Sequence, residues 1–266
     1  MKTLTESPVL FVHYPTGAGG WFLASLLHYA ADQSTPFYFD AHGSGHANQA
    51  IRLINNWYTD IVCSPIGMAI IHNNEHELYS KSDRIDFLRN NVTATDVANM
   101  QIPHIISLHC VDINLFLEAF PNSRCIQIIV EDHNILTCAV LFLIKKLSFE
   151  RFSQFAQYFD IPESDYRILF EQLNKIQAPE DMQNFAWAIP YIKSLDKGVE
   201  NNPEYDDRFL EIMFEDWMNA DIDEVLCAFL NFAKIETTQS VYDSLVMYIR
   251  KYRSQQLSFV TKNTYE

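Results

Sequence analysis

The chain has 266 residues, with 34 acidic and 19 basic side chains and a formal net charge of −15. Because nucleic-acid binding relies on a basic surface that releases counterions from phosphates, this balance argues against a general nucleic-acid-binding protein. A hydrophobic fraction of 48 % excludes a largely disordered chain.

A membrane span and a disulfide framework are both unexpected. No apolar run reaches the roughly 20 residues that cross a bilayer, and the first residues do not have the pattern of a signal peptide. The five cysteines are scattered and include no C-x-x-C pair, which is typical of reduced thiols in a cytosolic protein. We therefore expect a cytoplasmic protein without membrane or nucleic-acid partners, and a homo-oligomer stays open.

The first predicted element is a short strand that leads through a glycine-rich turn into a helix. Val9–Val12 is an apolar run typical of a buried parallel strand. Gly17, Gly19 and Gly20 crowd the turn, and apolar residues repeat at helical spacing from Trp21. This arrangement directs backbone amides and a helix N-terminus at an anion, usually a phosphate. The turn lacks the Walker A lysine and the third glycine of a dinucleotide-binding loop, so an ordinary β–α turn is the alternative.

The following region, up to about residue 90, mixes short strands and helices. The patterns predict a strand over Thr35–Asp40 and a polar loop over Ala41–His46. They then predict a helix over Ala47–Trp57, a strand over Met68–Ile71 and a helix over Lys81–Arg89.

Two clear strand–helix pairs come next. His104–Cys110 is followed by a helix that begins at Asp112, and Arg124–Val130 is followed by a buried helix over Asn134–Leu147. Strands that alternate with helices at these intervals predict an α/β fold in three layers, with a mainly parallel sheet between helices.

The rest of the chain is mostly helical. Residues 149–200 predict a helical insertion or lid within a single domain of residues 1–266. A late strand over Phe209–Phe214 precedes two closing helices, Ile222–Ala233 and Ser240–Arg253.

Several segments resemble, in chain order, those of the sulfotransferases. Tyr14–Pro15 and Trp21 match the ends of the family's Tyr-Pro-Lys-Ser-Gly-Thr-Thr-Trp loop, which binds the donor's 5′-phosphosulfate. Ile106–His109 lies where the family has a strand that ends in Thr-His. Phe120–Arg124 is similar to its Phe-Pro-Asn-Ala-Lys segment, and Ile212–Trp217 to its Tyr-Glu-Asp-Leu segment. The resemblance implies a fold related to the P-loop NTPases.

The resemblance also implies a reaction. The chain would transfer a sulfuryl group from 3′-phosphoadenosine 5′-phosphosulfate to a hydroxyl or amine of a small molecule or saccharide. His109 would be the catalytic base, and no metal would be needed. One implied donor-binding residue is Cys138, which stands where the family has a serine. The others are the residues of the turn: Thr16, Gly17, Ala18, Gly19, Gly20 and Trp21.

The chain departs from the family at three donor contacts. Thr16 replaces the loop lysine, Val130 an arginine and Cys138 the serine, and the late Arg-Lys-Gly element is not visible. Since a hydrogen bond to a charged group contributes about 1.5–3 kcal/mol, these losses weaken donor binding. A second hypothesis is therefore a catalytically inactive binding or assembly module with the same fold. A nucleotide-dependent, kinase-like enzyme is a third reading.

Other histidines and carboxylates have simpler interpretations. The pairs His42/His46 and His72/His76 have i, i+4 spacing, but the sequence does not supply three zinc ligands with either pair, so we expect polar loop residues. Asp132–His133 is interpreted as a helix N-terminal cap, and Glu215–Asp216 as a pair that anchors backbone amides. His13 is expected to be structural.

Overall fold

The structure is a computed structural model that describes residues 9–15, 17–33, 37–39, 45–47, 70, 79–91, 104–108, 112–146, 148–195 and 207–256. Four parallel strands form the main sheet in the order β4-β1-β5-β6. Their bounds are Val9–His13 for β1, His104–Leu108 for β4, Arg124–Ile129 for β5 and Phe209–Met213 for β6. A separate antiparallel pair joins β2, Phe37–Phe39, to β3, Gly45–Ala47.

Ten α-helices lie within the described residues, and none is both long and apolar enough to cross a bilayer. In chain order they are α1 Gly20–Ala31, α2 Lys81–Asn91, α3 Ile113–Ala119, α4 Ile135–Lys146, α5 Phe149–Tyr158, α6 Tyr166–Leu173, α7 Ile189–Leu195, α8 Phe214–Asn219, α9 Ile222–Ala233 and α10 Gln239–Ser254.

The main sheet is covered by helices on both faces. Successive residues of a strand point to opposite faces, and in β1 both sets are apolar. Leu10 and Val12 of β1 belong to a core cluster that includes α1, α9 and α10. Val9 and Phe11 belong to a second cluster with α2 and α3. A strand buried on both sides has a nearly continuous apolar sequence, and this explains why β1 was predictable from four residues.

A third core cluster lies away from the sheet and joins α4 to the helices that follow it. Phe152 on α5 and Phe185, in the 3₁₀ helix Pro179–Ala188, are fully buried in this cluster. Helix α4 contributes Cys138 to the cluster of α1 and Ala139 to this third one. It therefore packs against two core clusters at once, in agreement with the buried helix that its sequence predicted.

The α/β fold with a parallel sheet is confirmed, and most predicted element bounds agree within two residues. The strand predicted over Thr35–Asp40 is β2, and its partner β3 overlaps the predicted polar loop Ala41–His46. The loop prediction is wrong for Gly45 and His46, which pair with Phe39 and Tyr38 of β2, and its residues 41–44 lie outside the described residues. Ile70, the described residue of the predicted strand Met68–Ile71, is helical. The predicted helix Ala47–Trp57 lies outside the described residues beyond Ala47.

Candidate functional site

The carboxyl edge of the main sheet is the place to look for a site, because open α/β sheets bind ligands where their parallel strands end. Three segments that follow strands meet this edge. The glycine turn follows β1, residues 130–134 follow β5, and α8 follows β6.

The glycine turn has the backbone shape that its sequence predicted. Gly17 and Gly19 have φ angles of 94° and 81°, which L side chains rarely adopt. The amide of Ala18 donates to the carbonyl oxygen of Pro15 at 3.1 Å, and the amide of Leu23 donates to Gly19 at 3.1 Å. A tight reversal thus leads directly into α1.

The turn is enclosed by other parts of the protein. A side-chain carbon on Gly17 would collide with the carbonyl oxygen of Cys138. One on Gly19 would collide with the hydroxyl of Tyr252, and one on Gly20 with the ring of Tyr14. Ala18, Gly19 and Gly20 are all buried. The glycines are therefore required for close packing, since no larger residue fits these positions.

Helix α10 holds the enclosing side chains in place. The Tyr252 ring stacks on Phe22 of α1, with centroids 4.0 Å apart and planes at 9°. The neighbouring Arg253 donates hydrogen bonds to the carbonyl oxygens of Trp217, at 2.7 and 3.1 Å, and of Ala220, at 2.6 Å. The end of the chain thus joins α8 to the turn.

Trp217 adds a polar atom to this packing. Its indole Nε1 lies 3.2 Å from the position that a Cβ atom would occupy if Gly19 were replaced by a larger residue. The side chain is fully buried, and its N–H has no hydrogen-bond acceptor. A buried, unsatisfied donor costs about 1–3 kcal/mol, so the surrounding aromatic packing must offset this loss.

The predicted donor-binding residues divide into three groups. Gly17, Ala18, Gly19, Gly20 and Trp21 form the turn and the start of α1. Cys138 is fully buried in α4, and its backbone contacts Gly17. Thr16 and the predicted base His109 lie outside the described residues, as do His42, His72 and His76, so those predictions are not tested.

A cluster of one histidine and two glutamates lies at the ends of β5 and β6. His133 Nε2 is 3.4 Å from Glu215 Oε2, and His133 Nδ1 is 3.7 Å from Glu131 Oε2. The Nδ2 atom of Asn134 lies 3.0 Å from His133 Nε2. One ligand atom from each of Glu131, His133 and Glu215 lies within 4.8 Å of the other two. We call these three residues the Glu-His-Glu cluster.

This arrangement corrects the sequence interpretation of Asp132–His133 as a cap. The N-cap of the 3₁₀ helix Asp132–Asn134 is Glu131, whose side chain makes no cap hydrogen bond. The carboxylate of Asp132 instead accepts a hydrogen bond from Lys193 of α7 at 2.8 Å. This bond and the positive charge of Lys193 lower the pKa of Asp132. Glu215, expected to anchor amides, faces His133.

Two other features lie away from this edge. His28 of α1 is buried with neither ring nitrogen hydrogen-bonded, and desolvation lowers its pKa although Asp32 acts in the opposite direction.

A groove of about 830 Å³ runs between α5 and α6, where Phe149 is partly exposed.

A scan against models of protein families and a search of curated proteins found no match to this chain.

Proposed function

We propose that this chain is a sulfotransferase-like α/β protein that serves as a binding or assembly module and does not transfer sulfuryl groups. The observation that carries the proposal is the packing of the glycine turn against Cys138, Tyr14 and Tyr252.

An oxyanion at this turn would need open amides. Backbone donors bind an anion at about 2.7–3.1 Å, which requires room for the ligand above the turn. The Ala18 amide is already used by Pro15, and Ala18 has no exposed surface. Gly19 and Gly20 are buried as well. A phosphosulfate group would have to displace aromatic side chains of the core to reach them.

The charge of the chain points in the same direction. The donor is a polyanion, whereas this protein has a net charge of −15, which disfavours its approach at long range. The family's loop lysine and the arginine that binds the 3′-phosphate are Thr16 and Val130 in this chain. Without these two cations, the donor loses two of the charged contacts that the family supplies.

Sulfuryl transfer is the second candidate, and one observation favours it. The N-cap of α1 is Gly19, which has no capping side chain, and the first turn of the helix has no acidic residue. A helix N-terminus of this kind favours anions. In that case the turn and Cys138 would hold 3′-phosphoadenosine 5′-phosphosulfate. His109 would accept the proton of a hydroxyl or amine on a small molecule or saccharide.

One titration separates the two candidates. The full chain is titrated with 3′-phosphoadenosine 5′-phosphate by calorimetry in a buffer that contains a chelator, with adenosine as the control for base stacking alone. We expect no binding at millimolar ligand, equivalent to a binding free energy weaker than about −4 kcal/mol. Micromolar affinity that exceeds the affinity for adenosine would overturn the proposal. It would favour the enzyme, whose base is then tested with His109→Ala.

A further inference from the structure

We infer that Glu131, His133 and Glu215 form a binding site for a divalent transition metal ion of the Zn²⁺ class at the carboxyl edge of the sheet. This inference goes beyond the proposed function and does not depend on whether the glycine turn binds a nucleotide.

The pairing of two neighbouring strands creates the site. Ile129 of β5 is in register with Met213 of β6. Glu131 and Glu215 each follow these paired residues by two positions, so the parallel strands deliver two carboxylates to equivalent places at one edge. His133, in the 3₁₀ helix after β5, places its ring between them.

The spacing of the cluster fits two ligands of one ion better than it fits a hydrogen bond. A charge-assisted N–H···O bond measures about 2.7–2.9 Å, whereas His133 Nε2 and Glu215 Oε2 are 3.4 Å apart. A tetrahedral ion with bonds of about 2.1 Å holds its ligand atoms about 3.4 Å from one another. Glu131 lies on the Nδ1 side of the ring, so its exposed side chain must turn towards Nε2 to complete a three-ligand set, and one ligand atom of each residue is already within 4.8 Å of the others.

The negative charge of the two carboxylates in the cluster also favours the binding of a cation. Among the described residues, neither Glu131 nor Glu215 pairs with a lysine or arginine, whereas the intervening Asp132 pairs with Lys193. Two carboxylates and a neutral imidazole neutralise a divalent ion. When Asn134 Nδ2 donates to His133 Nε2, that nitrogen is unprotonated and its lone pair accepts the hydrogen of Asn134. A metal ion would replace the Asn134 contact.

The ligand types and their exposure define the class of ion. Imidazole suits Zn²⁺ and other late transition metals, and carboxylates alone suit Mg²⁺ or Ca²⁺. The side chains of Glu131, His133 and Glu215 are 51, 62 and 44 % exposed. Water can therefore complete the coordination, as it does in sites with three protein ligands. We expect affinities in the order Zn²⁺ > Mn²⁺ > Mg²⁺.

The test is calorimetric titration of the full, chelator-treated chain with Zn²⁺, Mn²⁺ and Mg²⁺ under reducing conditions. We expect one Zn²⁺ equivalent to be bound, with at least tenfold weaker affinity in Glu215→Gln and in His133→Ala. The three cluster residues are exposed, so these variants should retain the wild-type fold, which circular dichroism checks. Zn²⁺ should also raise the Tm of the wild type and leave that of Glu215→Gln unchanged.

Two matched controls locate the ion. Asp132→Asn removes a carboxylate from the same segment whose partner is Lys193, and it should bind Zn²⁺ like the wild type. The double variant His72→Ala/His76→Ala removes a histidine pair that has Glu75 and Glu77 beside it in the sequence, and it should also bind normally.

Three results would overturn the inference. They are no Zn²⁺ binding by the wild type, wild-type affinity in both Glu215→Gln and His133→Ala, or loss of binding in the His72/His76 double variant instead. Because the nucleotide titration is made without metal, failure of either proposal leaves the other standing.

Discussion

The hydroxyl group of Tyr252 fills the space beside Gly19 so closely that a side-chain carbon on Gly19 would collide with it. Tyr252 lies two residues before the end of the last described helix, and Gly19 is the N-cap of the first one. The contact therefore joins the first and the last described helix at the turn whose sequence is typical of an anion-binding loop.

Gly19→Ala should lower the free energy of unfolding by about 3 kcal/mol. About 1–2 kcal/mol comes from a left-handed backbone that alanine disfavours, and overpacking accounts for the rest. Urea denaturation measures the loss. Combining Gly19→Ala with Tyr252→Phe removes the nearest colliding atom, so the double variant should recover about 1 kcal/mol relative to the sum of the single variants. Strict additivity would show that Tyr252 does not press on the turn.

Arg253→Ala should destabilise the protein by about 2–4 kcal/mol. Its guanidinium donates three hydrogen bonds to the carbonyl oxygens of Trp217 and Ala220, and hydrogen bonds to charged groups contribute about 1.5–3 kcal/mol each without being additive. The matched control is Arg250→Ala on the exposed side of the same helix, which should change stability by less than about 0.5 kcal/mol. Equal effects of the two substitutions would contradict a specific role of the Arg253 hydrogen bonds in holding α10 against α8.

Cys138→Ser should lower stability by about 1–3 kcal/mol, because it buries a hydroxyl group in an apolar core. It restores the residue that the sulfotransferase resemblance implies at this position, yet we expect no gain in binding of 3′-phosphoadenosine 5′-phosphate. Cys227→Ser is the control, since Cys227 is exposed on α9, and it should be close to neutral. A Cys138→Ser variant that binds the nucleotide would place this side chain in a donor site.

His28 should make the protein less stable as the pH falls below about 6.5, the ordinary pKa of histidine. Burial lowers the pKa of His28 in the folded chain, so the unfolded chain binds more protons between the two pKa values. The free energy of unfolding must therefore fall as the pH falls through that window. Urea titrations at pH 7.5 and 5.5 measure the change, which should be larger for the wild type than for His28→Leu. Parallel losses in the two proteins would exclude His28 as the source.

The sequence by itself determined the elements whose residue pattern is compatible with only one type of secondary structure. The apolar run of β1 and the amphipathic repeat of α9, predicted and found over Ile222–Ala233, depend on burial that neighbouring residues already encode. The α/β class followed from the alternation of predicted strands with predicted helices along the chain. Strand β3 was missed because three residues, two of them glycine and alanine, contain too little periodicity to predict a strand.

Tertiary structure alone decided what surrounds the glycine turn and which charged groups meet. The sequence predicted the turn, but only the return of α10 shows that Tyr252 occupies the space beside it. The sequence analysis expected Glu215 to anchor backbone amides and did not single out Glu131, whereas the β5–β6 register brings both to the same edge. Such contacts depend on strand order and helix packing between residues far apart in the chain, and local residue patterns do not specify these.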